Sequence, residues 1–253
     1  MLLKLDRTLA QNYKSTSQQI RVMSETWLLQ NAYCVKCGNV LTKTPNNTKV
    51  EDFYCSNCSE QFELKTGKYI GKQITDGAYH TMIEKIQDNS IPNFFFLNYS
   101  LEDYHIPNLM LIPKHYLTQD LIIKRKPLSE NAKRAGWIGC NINISNIPES
   151  GKLYIIKNGT VVQKNKILTD FNKMLFLRKE SEYSRGWLID IIKCIESLNK
   201  KSLSLEEIYS FENYLKEKHP LNNNIRPKIR QQLQLLRDKG YIRFIGKGQY
   251  EIL

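Results

Sequence analysis

Three charged residues carry the first chemical signal in the chain. Asp52 lies just before a cysteine pair, and Glu63-Leu64-Lys65 lies just after it. Because strand side chains alternate, Glu63 and Lys65 share one face of an extended segment while Phe62 and Leu64 occupy the other. Folding the segment back at the cysteine turn brings Asp52 to within a residue or two of a position opposite Glu63, so two carboxylates and a lysine converge. That set suits phosphodiester hydrolysis: Asp52 and Glu63 offer hard oxygens to Mg²⁺, the ion polarises the phosphate, and Lys65 positions or helps deprotonate the attacking water. Charges alternating on an exposed strand are also common without any chemistry, and the spacing alone leaves that reading open.

The cysteines give a second, sharper signal. Cys34-Val35-Lys36-Cys37 and Cys55-Ser56-Asn57-Cys58 are two C-x-x-C pairs, the arrangement of tetrahedral zinc sites. Two such turns close a four-sulfur shell with no position left for water, so a Zn²⁺ held there is structural. Four unrelated reduced cysteines are the alternative. Cys140 and Cys194 sit among apolar neighbours and read as core filling, and His80, His105, His115 and His219 show no ligand spacing.

These residues need a folded, basic frame. The chain has 253 residues and a formal charge of +12, a length that favours two domains and a field that attracts polyanions. No run reaches the roughly 18 apolar residues of a membrane span. Lys4 and Asp6 interrupt the start before any signal-peptide core forms, so the expected location is the cytoplasm. There is no dimerising heptad, so a monomer is the default expectation.

Periodicity predicts a helix from Thr16, opened by a Thr16/Gln19 capping box, with Ile20, Met23 and Trp27 inward. Two short strands span Asp52 to Lys65. Asp76-Gly77 then reads as the opening of a second amphipathic helix with Ala78, Met82 and Ile86 inward. Strands follow at Phe94–Tyr99 and Leu109–Ile112, with Phe94, Phe95 and Phe96 buried rather than stacking on a ligand. Residues 114–150 read as a basic, loop-like region ordered by DNA, carrying Arg125, Lys126, Arg134 and Trp137. Asn158-Gly159 between β-formers signals a two-residue hairpin. The polar stretch Ser181–Arg185 sets the expected domain boundary near residue 182.

Residues 183–253 read as a winged helix. Leu188, Ile191, Ile192, Ile195 and Leu198 mark one amphipathic helix, and Leu205, Ile208, Phe211 and Leu215 a second. The third spans Ile225–Asp238 with Ile225, Ile229, Leu233 and Leu236 inward, and a hairpin turns at Gly246-Lys247-Gly248. Residues 204–217 carry four acids and one lysine whereas 223–249 carry seven basic residues and one acid, which makes the third helix and the wing the DNA side. Arg230, Gln231 and Gln234 point away from the apolar stripe, where Arg can read guanine and Gln adenine, while Lys228 and Lys247 suit phosphate. A protein-docking winged helix is the alternative.

The run Asp52-Phe53-Tyr54-Cys55, then Cys58, then Phe62-Glu63-Leu64-Lys65 resembles the PD-(D/E)XK nuclease motif of the DpnI-like methyl-directed restriction endonucleases. The resemblance covers nearly the whole chain, through Asp76-Gly77-Ala78-Tyr79, residues 93–97, Arg125-Lys126-Pro127-Leu128, residues 134–141 and residues 229–234. Glu51 stands where the motif's label has proline. The resemblance implies an α/β restriction-endonuclease-like domain over residues 1–182, with an inserted four-cysteine zinc site, followed by a winged helix over 183–253. It implies cleavage of double-stranded DNA at GATC carrying N6-methyladenine, with Asp52, Glu63 and Lys65 as the catalytic set and Mg²⁺ and Zn²⁺ as cofactors. It also implies that Trp137 approaches the methylated adenines, where the residues alone favour a core tryptophan.

Two other functions compete with the endonuclease: a zinc-containing winged-helix regulator, and a noncatalytic reader of methylated DNA. Only the endonuclease needs Asp52, Glu63 and Lys65 together.

Overall fold

A computed structural model describes residues 1–45 and 51–253, and they form two compact units. The first comprises residues 1–146 and 150–172, the second residues 173–253 with 147–149. Among the described residues no helix is long and apolar enough to cross a membrane.

The first unit opens with helix α1 (Thr16–Asn31). Its cap differs from the sequence reading. Ser15 is the N-cap and Thr16 already lies in the helix, while the Gln19 side chain donates to the Tyr13 carbonyl instead. Ile20, Met23 and Trp27 are buried as expected. Strands β1 (Thr42–Lys43), β2 (Phe53–Tyr54), β3 (Gln61–Gly67) and β4 (Gln73–Ala78) precede helix α2 (Tyr79–Gln87). Strands β5 (Asn93–Asn98), β6 (Asn108–Ile112), β7 (Ile122–Lys124), β8 (Gly139–Asn143), β9 (Leu153–Lys157) and β10 (Thr160–Val161) follow, and then helix α3 (Lys164–Lys173).

A seven-stranded sheet in the order β1-β2-β3-β5-β6-β9-β10 forms the core. Its centre is the parallel pair β3 and β5, in which Glu63 lies beside Phe94 and Lys65 beside Phe96. Every residue of β5 is buried, the pattern of a strand covered on both faces. Asn158 and Gly159 both take positive φ, 50° and 74°, at the expected β9–β10 hairpin.

A second sheet, β4-β8-β7, was not legible in the sequence. Asp76-Gly77 does not open a helix but ends strand β4, where Asp76 pairs with Cys140 of β8. The residues between 114 and 150 likewise contain strands β7 and β8. The loop joining them closes on itself through Leu128 N–H to the Trp137 carbonyl (2.9 Å) and Gly136 N–H to the Leu128 carbonyl (3.1 Å).

The second unit holds helix α4 (Glu182–Ser197), strand β11 (Ser202–Ser204), helices α5 (Leu205–Tyr209), α6 (Glu212–Lys218) and α7 (Ile225–Asp238), and strands β12 (Ile242–Gly246) and β13 (Gln249–Ile252). The polar stretch at 181–185 forms the start of α4, which Ser181 caps by accepting from Ser184 N–H. The expected second helix is two short ones, broken where Phe211 N–H turns to the Ile208 carbonyl. Ile225, Ile229, Leu233 and Leu236 of α7 are buried as read. The strands form a sheet in the order β11-β13-β12, giving a winged helix-turn-helix with one more strand than expected.

Candidate nuclease site and metal centre

Cys55 to Cys58 form the turn between β2 and β3, and Cys34 to Cys37 form a second turn after α1. The four sulfurs lie within 4.8 Å of one another. Cys34 and Cys58 are 3.4 Å apart and Cys37 and Cys55 3.5 Å, near the edge of about 3.8 Å that four Zn–S bonds of about 2.3 Å require in a tetrahedron. Burial pushes the Cys34 and Cys58 thiols up, while backbone N–H groups of Asn39 and Glu60 facing the Cys37 and Cys58 sulfurs act in the opposite direction and Cys37 is lowered to about 6. Soft sulfur in this geometry fits zinc.

Second-layer contacts fix the two turns. Buried Glu60 accepts from Asn93 Nδ2 of β5 (3.0 Å) and pairs with Lys36 (3.2 Å). Asn172 of α3 donates to the Lys36 carbonyl (3.0 Å). The cysteine cluster is thereby tied to the central strand and to α3.

The pairing Phe53 with Phe62 puts Asp52 opposite Glu63, as the sequence reading expected. Asp52 N–H donates to the Phe62 carbonyl (3.1 Å), and Asp52 Oδ2 accepts from Leu64 N–H (2.9 Å). Glu63 and Lys65 share a face, with Lys65 Nζ 2.5 Å from Glu63 Oε1. The structure thus brings Asp52, Glu63 and Lys65 together.

A fourth residue belongs to the group and escaped the sequence reading. Asp76, on β4 and 8% exposed, forms an ion pair with Lys65 through Oδ1. Its signal was available: in Ile74-Thr75-Asp76-Gly77-Ala78 the aspartate shares the phase of two apolar residues, an acid on the inward side of a strand. Burial pushes the Glu63 carboxyl above its usual range; the Lys65 ammonium opposes that shift and Asp76 adds to it. Burial by itself would lower the Lys65 pKa, but the carboxylates of Asp76 and Glu63 outweigh it and hold the amine protonated.

Glu51, Asp52, Glu63 and Asp76, with Lys85 and Met82, line a cavity of about 270 Å³. Glu51 Oε2 and Asp76 Oδ2 are buried there without a hydrogen-bond partner. Orphaned carboxylate oxygens are costly, and a hard cation is the group that would satisfy them. The donor set therefore fits a divalent ion such as Mg²⁺.

The expected DNA-contacting residues fall in two places. Arg125, Lys126 and Arg134 are exposed around the β7–β8 loop, and Trp137 is half-buried rather than a core residue. The Arg134 guanidinium lies 4.5 Å over the indole, and the ring packs directly on Gly139. On α7, Arg230, Gln231 and Gln234 are exposed; Arg230 donates to the Tyr209 hydroxyl (3.1 Å). Lys228 is half-buried, bonded to Gln231 (2.9 Å) with its ammonium over the Tyr183 and Trp187 rings. Lys247 is exposed at the wing tip, where Phe244 and Ile245 are also half-exposed, an apolar feature the sequence reading did not single out.

The family model described as DpnI, the Dam-replacing family, matches residues 1–180, and that of the Dam-replacing HTH domain matches residues 183–252. The two matches account for almost the whole chain.

Proposed function

Because the chain belongs to the DpnI, or Dam-replacing, family, we propose that it is a methyl-directed restriction endonuclease cutting double-stranded DNA at GATC sites with N6-methyladenine. Residues 1–182 carry the nuclease of PD-(D/E)XK type and 183–253 the second DNA-binding domain. The observation that carries the reading is the convergence of Asp52, Glu63 and Asp76 on one cavity with unsatisfied carboxylate oxygens, with Lys65 ion-paired to both Glu63 and Asp76.

Asp52 and Glu63 would hold Mg²⁺, which supplies a Lewis acid for the phosphate and lowers the pKa of an attacking water. The backbone N–H of Leu64 fixes the Asp52 carboxylate, so its orientation does not depend on the ion. Lys65 offers donors toward the phosphate oxygens and the water; Glu63 and Asp76 set where its ammonium sits. The four cysteines would hold Zn²⁺ as a structural ion beside them. Trp137 offers an apolar face to the adenine methyl groups, flanked by Arg125 and Arg134 for phosphate. Arg230, Gln231 and Gln234 are assigned to base edges, and Lys126, Lys228 and Lys247 to the backbone.

The test uses plasmid DNA with methylated or unmethylated GATC, with and without Mg²⁺. Cutting of the methylated plasmid alone, lost in Asp52→Ala and Lys65→Ala with zinc content intact, is the expected result. Binding without cutting by the wild-type protein would leave a methyl-DNA reader instead.

A further inference from the structure

Lys65 stands at the boundary of two openings of opposite character. On one side is the carboxylate cavity just described. On the other is a groove of about 570 Å³ whose walls join apolar residues such as Leu64, Ile74 and Phe96 to Arg21, Lys65, Lys68, Tyr69, Gln73 and Thr75. No acidic residue is among its described lining residues, although Lys65 on its wall is ion-paired to Glu63 and Asp76 of the carboxylate cavity. Lys68 and Tyr69 sit on the β3–β4 connection, and Lys72 beside them is exposed.

Tyr69 is 80% exposed, so folding buries little of its ring. Arg21 is partly used by Glu25, to which it donates at 2.6 Å, but its side chain remains 68% exposed. Glu25 also pairs with Lys43 (2.7 Å), so that acid is shared between two cations, and the Asp52 carboxylate also acts on Arg21 from the cleavage site. The groove therefore carries net positive charge, hydrogen-bonding Gln73 and Thr75, and an exposed aromatic at its mouth. That is the make-up of a phosphodiester track: cations neutralise phosphates, small polar groups bond their oxygens, and an aromatic packs against sugar or base.

We propose that this groove, through Arg21, Lys68 and Tyr69 with Lys72 at its edge, carries the DNA backbone flanking the scissile phosphate. The inference rests on the nuclease reading above and assigns a direction to it. The scissile phosphate sits at Lys65, with the cation cavity on one side and the next phosphates of the strand in the groove on the other. None of these three side chains belongs to the cleaving set, so their contribution is to binding.

The experiment measures duplex affinity of the full-length protein by fluorescence anisotropy over a salt series, with no divalent cation added. The variants are Arg21→Gln/Lys68→Ala, the same pair with Tyr69→Ala, and Lys157→Ala as a control. Lys157 ends β9, three strands from β3 in the sheet. Melting temperature and zinc content verify that each variant is folded. The double variant should flatten the slope of log affinity against log salt by about two, since each lost phosphate contact removes about one. Tyr69→Ala should weaken binding further without changing the slope, and Lys157→Ala should leave the slope at the wild-type value. A wild-type slope in the folded double variant, or an equal loss in Lys157→Ala, overturns the groove while leaving the nuclease reading intact. Failure of the wild-type protein to bind duplex DNA at any salt would overturn both.

Discussion

Trp137 is the residue whose role can be tested without replacing it. Its indole packs on Gly139 so closely that a β-carbon added there would stand 2.9 Å from both Cζ3 and Cη2, and 3.4 Å from an Arg125 nitrogen. Carbon atoms in contact prefer about 3.5–4.0 Å, so in Gly139→Ala the ring must withdraw by roughly 0.6–1 Å or swing outward. It is half-buried, and the guanidinium over its outer face is on an exposed side chain, so the indole yields before the strand does. Burial of one methyl is worth about 0.8 kcal/mol, so the two methyls of a palindromic site give about 1.6 kcal/mol, or about 15-fold in preference. Single-turnover cleavage of GATC duplexes, fully methylated and unmethylated, reads that ratio. Trp137→Ala should lower it by up to about 15-fold, and Gly139→Ala by a large part of that with every reading residue still present. The rate on unmethylated DNA should stay unchanged in both. If the ratio keeps its wild-type value in both folded variants, Trp137 is not the methyl sensor, and the residual discrimination must come from α7 and the wing.

Asp76→Asn should lower the cleavage rate by roughly 10- to 100-fold, the usual effect of removing a partner that orients a working group, with DNA affinity and zinc content unchanged; a wild-type rate would leave the aspartate idle. Cys34→Ser or Cys58→Ser should reduce the metal content measured by elemental analysis from about one zinc per chain and abolish cutting together with the melting transition of the first unit. Lys247→Ala should flatten the salt dependence of duplex binding by about one unit without altering which sites are cut, and a shift in site choice would assign the wing to base reading.

Features set by local chemistry were legible from the residues; those set by distant pairing were not. The two C-x-x-C turns, the Asn158-Gly159 hairpin and the inward stripe of α7 depend on neighbours a few positions away, and the structure has all three. Placing Asp52 opposite Glu63 needed only the alternation of one strand and a turn. Asp76 failed because Asp-Gly resembles a helix start, whereas its strand partner, Cys140 on β8, is far along the chain, and its ion-pair partner Lys65 lies on a separate strand, β3. The same cause hid β7 and β8, which are joined by a long loop with Pro127 in it. Strand β11 has a single buried residue, Leu203, too little to register as a pattern. The break between α5 and α6 comes from a competing bond, Ser210 Oγ to the Glu207 carbonyl (2.7 Å), a local alternative to helix that serine offers. The start of α5, in contrast, is written in Ser204 and Glu207, which form a capping box.

The cysteine cluster matters to the site for a reason of register. Only two residue pairs join β2 to β3, Phe53 with Phe62 and Tyr54 with Gln61, far too few to specify an alignment by themselves. Yet a slip of one residue would turn every side chain of β3 to the other face, sending Glu63 and Lys65 into the core side and Phe62 toward the carboxylates. What fixes the alignment lies on either side of that short ladder. Phe53 and Phe62 are both fully buried, and Asn93 Nδ2 holds both the Glu60 carboxylate and the Gln61 carbonyl (2.9 Å). The turn between the strands is clamped by two of the four sulfurs, the other two coming from a turn that follows α1. Metal at that cluster would thus define the spacing between Asp52 and Glu63 from outside the cavity, leaving the carboxylates free to bind and release their own cation as DNA comes and goes.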